Sequence, residues 1–177
     1  MAVKFGTSGL RGLSTELVGS VSALYATAFA RFLLDERIAE PGSPIVIAQD
    51  FRPSSPEIVA TVIAALQRVG LKPIDCGTIP TPALALYGGK IGAAGIMVTG
   101  SHIPADRNGI KFYRPGEEIT KADEAAITTL ADTLSEDPGA NRVEAGTAEN
   151  REQAATELFL ARNRAVLAPL ALSGRRI

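Results

Sequence analysis

The chain has 177 residues, with 18 Lys and Arg against 19 Asp and Glu, a net charge of −1. That balance argues against a non-specific nucleic-acid or polybasic membrane binder, and 46% apolar residues are enough for a core in roughly one domain of ordinary size. One cysteine, Cys76, excludes an internal disulfide and a Cys-rich zinc site, and one histidine, His102, excludes any site built from two.

The first clear element is a helix over about 19–38. Val21, Leu24, Tyr25, Ala28, Phe29, Phe32 and Leu33 follow 3- and 4-residue steps on one face, and Pro41-Gly42 stops it. Ile45-Val46-Ile47-Ala48 reads as a strand buried on both faces, ending at Asp50. Ser55 then suits an N-cap, Pro56 the first helical position, and Glu57 the positive end of the dipole. Ile58, Val59, Val62, Ile63 and Leu66 form the buried face of that helix, and Gly70 is its stop.

A second strand is expected over 72–75. A stiff loop, Gly77–Pro82, leads to a short helix over 83–90. Gly95–Val98 reads as a third strand, broken by Thr99-Gly100-Ser101-His102-Ile103-Pro104. Asp106-Arg107-Asn108-Gly109 before Ile110–Tyr113 is a hairpin signal, so the fourth strand is expected as an antiparallel edge. Helical pattern returns over 120–134, a polar linker over 135–150, and a last helix around Ala155–Val166.

Strand–helix alternation with crossover-length helices predicts an α/β three-layer sandwich, with a mixed, mostly parallel four-stranded sheet between helices. Ligands in such folds sit beyond the carboxyl ends of the strands. The loops 50–55, 77–82 and 99–108 converge there. No apolar signal-peptide core or membrane span of ~18 residues stands out, so the cytoplasm and no membrane partner are expected.

In the loop 99–104, Ser101 can be a nucleophile or phosphoryl carrier beside His102, which can bind phosphate or shuttle a proton. A turn in which Ser101 caps and His102 is merely exposed explains the same dipeptide. A serine-hydrolase triad is disfavoured, because sequence neighbours rarely align for proton transfer. The run Phe5–Gly12, with Thr7, Ser8 and Arg11, reads as an anion-binding loop or as a flexible terminus. Arg52 is a phosphate contact or an ion pair with Asp50. Lys111 is an acid/base group or a solvated edge lysine. Asp106 and Asn108 are ligands or turn formers. Cys76 reads as a small buried hydrophobe.

Four stretches in order carry more than any one of them: FGTSGLRG (5–12), DFRPSSP (50–56), GTIPTP (77–82) and TGSHIPADRNGIKFY (99–113). Together they resemble the α-D-phosphohexomutase family, in its phosphomannomutase/phosphoglucomutase branch, and the last stretch favours phosphomannomutase. The resemblance implies that Ser101 is phosphorylated and passes its phosphoryl group to a hexose monophosphate. A hexose 1,6-bisphosphate forms, reorients and returns its other phosphoryl group, interconverting mannose or glucose 1- and 6-phosphates. His102 would contact substrate or phosphate, and Lys111 would move a proton or neutralise charge. Arg11, with Thr7, Ser8, Arg52 and Asn108, would hold phosphate or substrate. Mg²⁺ would meet Ser101 through its phosphate. Ile103 departs from the asparagine many members carry.

The family is four-domained, with an Asp-Gly-Asp-x-Asp-Arg metal loop in its second domain, and no such cluster occurs here. The resemblance therefore assigns 1–134 to domain I, 135–170 to a linker and interdomain helix, and 171–177 to the start of domain II. Its natural partner is then the rest of its own chain, domains II–IV, and the fragment alone is expected to be inactive. The competing reading is a stand-alone phosphosugar-binding or regulatory domain. An interaction module with an exposed apolar face is a third.

Overall fold

A computed structural model describes residues 3–6, 9–166, 171, 173, 174 and 176. The elements are β1 (Lys4–Gly6), β2 (Gly9–Leu13), α1 (Ser14–Leu17), α2 (Ser20–Asp35), β3 (Pro44–Gln49), α3 (Ser55–Val69), β4 (Lys72–Thr78), α4 (Thr81–Ile91), β5 (Ala94–Val98), β6 (Arg107–Arg114), β7 (Glu117–Glu118), α5 (Lys121–Leu134), β8 (Glu149–Asn150) and α6 (Glu152–Val166). One sheet runs β1-β2-β6-β5-β3-β4-β8, with β7 beside β6. Pairing is parallel among β5, β3, β4 and β8 and antiparallel from β5 through β6 and β2 to β1.

Alternation along β3 explains the layers. Ile45 and Ile47 enter a core with α2, α3 and α5, where Phe29, Leu33, Ile58, Val62 and Ile127 are buried. Val46 and Ala48 enter a second core with α4 and α6, through Leu84 and Ala155. Successive side chains of a strand face opposite ways, so a strand covered on both faces reads as an unbroken apolar run. The α/β class, the mixed sheet and the sandwich therefore stand as expected.

The strand count does not. The sequence predicts four strands, and the described residues form eight. β7 and β8 have two residues each, too few for any periodicity. β1 and β2 lie in the glycine-rich run, which has no alternating pattern. Backbone contact dictates the glycine there, since a Cβ on Gly9 would lie 2.4 Å from the Ile110 carbonyl oxygen. Phe5 packs on Tyr25 and Phe112, with ring centroids 5.7 and 6.0 Å away, so the terminus is a docked hairpin.

Further details depart from the expectations. β6 is not an edge, because β2 pairs along its free side. Asn108 and Gly109 lie inside it rather than in a turn. Ser54, not Ser55, occupies the N-cap of α3. β4 runs past Asp75 to Thr78 through an irregularity in its register with β3, where Gly77 takes φ +65°. The expected linker is pinned to α3: the Gly146 N–H donates to Ala60 O at 2.9 Å, and Arg68 pairs with Glu144 at 2.7 Å. The assignment of 171–177 to a second domain falls mostly outside the described residues. Among the described residues no helix is long and apolar enough to cross a membrane.

Candidate functional site

The carboxyl ends of β3, β4 and β5 meet at a cleft of about 250 Å³, lined by Asp50, Phe51, Thr78, Pro80 and Thr99 among others. The loop from Thr99 to Asp106 lies at the same end of the sheet. Its ends are fixed by Thr99 N–H to Gly109 O at 2.9 Å and by Ser14 N–H to Asp106 O at 2.9 Å. Two turns shape it, Ile103 N–H to Gly100 O and Arg107 N–H to Pro104 O.

Ser101 is exposed at the loop's tip with φ +49°, in the left-handed region. A non-glycine residue held there costs about 1–3 kcal/mol and persists only where its surroundings enforce it. The enforcement is visible. The Ser101 N–H donates to Thr99 Oγ1 at 2.9 Å, and the Gly100 N–H donates to Asp50 Oδ2 at 2.9 Å. Asp50 Oδ1 accepts from Ser55 Oγ at 2.7 Å and from the Arg52 N–H at 3.0 Å. Partial burial pushes the Asp50 carboxyl up. The bonds from Ser55, Arg52, Gly100 and Thr99 outweigh it and hold the group below its usual range.

Arg52 lies across the loop. Its guanidinium donates to the carbonyls of Ile103 and Pro104 at 2.6 Å, Arg107 at 2.9 Å and Ser101 at 3.5 Å, with Nε 3.4 Å from Asp50 Oδ2. Gly100 leaves the room: a Cβ there would sit 2.0 Å from Arg52 Nε. The reading of Arg52 as an Asp50 partner is met, while its terminal donors face backbone carbonyls.

Ser101 Oγ lies 3.2 Å from His102 Nδ1, and both side chains are exposed. That is hydrogen-bond distance, with the donor set by the imidazole tautomer. What the triad lacks is its third member, for among the described residues no carboxylate contacts His102. Asn108 is wholly buried. Its Nδ2 donates to Ser54 Oγ at 2.9 Å and Ser55 Oγ at 3.0 Å, and its Oδ1 accepts from the Gly109 N–H at 2.8 Å. It braces β6 against the start of α3. The Asp106 side chain is exposed.

Register places Arg11 and Lys111. Arg11 opposes Gly109 and Lys111 opposes Met97, so both lie on the sheet face that carries α4 and α6. Both are half-buried, at the end of the sheet where the serine loop begins. Among the described residues neither has an ion pair. Thr7 and Ser8 lie outside the described residues. Phe51, 93% exposed at the cleft rim, was not singled out from the sequence, where a lone aromatic after a strand carries no signal.

The chain matches the family described as phosphoglucomutase/phosphomannomutase, alpha/beta/alpha domain I, over residues 2–138. A phosphomannomutase of Sinorhizobium fredii strain NGR234 is 59% identical over all of this chain, which covers 37% of that protein. A phosphoglucosamine mutase of Renibacterium salmoninarum is 41% identical over 72% of the chain and 29% of its own length. The crystal structure of a Thermus thermophilus protein described as a phosphomannomutase superposes with a TM-score of 0.82 at 28% identity. It covers 99% of this chain and 38% of its own. The chain thus spans only 29–38% of the length of these relatives, and it belongs to the phosphoglucomutase/phosphomannomutase family, as its α/β/α domain I.

Proposed function

We propose that this chain is the phosphoserine-bearing domain of a phosphohexomutase, of the phosphomannomutase type, with Ser101 as the phosphoryl carrier. The observation that carries the reading is the exposed Ser101, held at φ +49° on a strand-end loop by Thr99 and by Asp50 through Gly100. Phosphoryl transfer needs positioning and charge stabilisation more than covalent chemistry from the protein. A braced serine with Arg11 and Lys111 on the adjoining sheet face supplies both. The sugar hydroxyl attacks phosphorus, the P–Oγ bond breaks, and its electron pair returns to Ser101 Oγ. The hydroxyl proton leaves to the His102 imidazole, and the departing Ser101 Oγ takes a proton from the Lys111 ammonium. The reverse step on the other phosphoryl group of the bisphosphate restores the phosphoserine.

The residues do not make a magnesium site by themselves. Among the described residues no three His, Cys, Asp or Glu side chains group to hold a metal. Both oxygens of Asp50, the acid that braces the serine loop, are engaged by Gly100, Arg52 and Ser55. The chain would offer Mg²⁺ a phosphate oxygen on Ser101. Sugar 1- and 6-phosphates and the 1,6-bisphosphate are the proposed ligands.

Intact mass tests the carrier. Protein exposed to a hexose 1,6-bisphosphate should gain the mass of one phosphate, and Ser101→Ala should gain none. Uptake that survives in Ser101→Ala places the phosphate elsewhere and ends the reading. Mutase turnover is expected only when the remaining length found in the relatives is joined to this domain. Assays on mannose 1-phosphate and glucose 1-phosphate then decide the sugar.

A further inference from the structure

We infer that Arg52 is a positioning residue that holds the serine loop in its working shape, and not a ligand of substrate phosphate. The inference rests on Ser101 being the phosphoryl carrier. Three observations carry it.

The guanidinium has five N–H donors in a rigid fork and no acceptor. All three of its nitrogens already face partners, four loop carbonyls and Asp50. Its side chain is only 16% exposed, and a phosphate could reach it only if the loop let go. The bonds reach residues 101 and 103 in the first turn of the loop and 104 and 107 in the second. A trans peptide points its N–H opposite to its C=O. Drawing the Ser101 carbonyl toward Arg52 therefore turns the His102 N–H away from the guanidinium.

Asp50 completes the device. It holds the Arg52 backbone N–H and faces the Arg52 Nε, while it takes the Gly100 N–H from the loop. The acid and the base thus grip the loop from opposite polarities, one on a donor and one on acceptors. Gly100 is the residue that lets them do so, since any Cβ there would meet the guanidinium. Lysine cannot substitute, because a single ammonium with three donors cannot reach four carbonyls and Asp50 at once.

The test compares Arg52→Ala and Arg52→Lys with the unaltered protein by two measurements. The first is NMR of this chain, following the Gly100 amide and the backbone shifts of Ser101. The second is the rate of phosphoryl uptake at Ser101 from a hexose 1,6-bisphosphate, in the protein carrying its remaining domains. In Arg52→Ala the sheet amides should stay in place while Ser101 loses its left-handed shifts. Maximal uptake should fall on the order of 100-fold, with half-saturating bisphosphate within about threefold, as expected for a misplaced nucleophile. Arg52→Lys should behave as the alanine variant does. Retained Ser101 shifts in Arg52→Ala overturn the inference. So does a rise in half-saturating bisphosphate at unchanged maximal rate, the mark of a ligand contact. If the unaltered protein takes up no phosphate, the carrier reading fails, and the shifts alone still decide whether Arg52 holds the loop.

Discussion

Asp50 is the residue at which the chemistry of the loop becomes measurable by pH. Its folded value lies below the ordinary 3.8, so its contribution to stability is complete above that value and is lost as pH falls through the lower, folded one. Asp50→Asn should flatten the acid limb of a plot of melting temperature against pH below about 4, and release the Gly100 amide to exchange at neutral pH. An unchanged acid limb would mean that another carboxylate carries it. Ser101 and His102 were legible in the sequence, as were Arg11 and Lys111 as cations, because local chemistry and motif announce them. So was Asp50 as a partner of Arg52, but the other partners of Arg52 were not. They are main-chain carbonyls some fifty residues away, and a carbonyl leaves no mark in a residue pattern. Asn108 misled for the same reason, since its bracing of Ser54 and Ser55 exists only after β6 meets α3.

Among the elements, the N-terminal hairpin is the one whose placement matters most for the site, because it puts Arg11 beside Gly109. Phe5 ties it down against Tyr25 and Phe112. A fully buried Phe→Ala change costs about 3–5 kcal/mol, and the half-buried Phe5 should cost about 2. Phe5→Ala should speed exchange of the β1 and β2 amides selectively, leaving those of β3 and β5 protected. Uniform loss of protection would show the hairpin to be part of the global folding unit. The helices α2, α3 and α5 were readable because each buries one face at period 3.6. β6 was readable as a strand but not as an interior one, since its second neighbour comes from a segment with no strand pattern.

At the scale of the whole molecule, two cores flank one sheet, and Cys76 lies wholly buried in the second. Burial, with Asp75 nearby, pushes its thiol up to about 12. Labelling by a maleimide at neutral pH should therefore be at least about a thousandfold slower in the folded protein than in denaturant, as global stability of ordinary size implies. Rapid native labelling would reveal that the α4 and α6 layer opens on its own. The sequence by itself determined the class of fold, the order of its helices and inner strands, and the serine loop with its histidine. These depend on periodicity and short-range chemistry, which are written along the chain. Only the tertiary structure decided that the glycine-rich terminus is a hairpin, that β6 is interior, and that Asp50 and Arg52 grip the loop around Ser101. Those outcomes rest on backbone groups meeting across long separations, and backbone groups are the same at every residue.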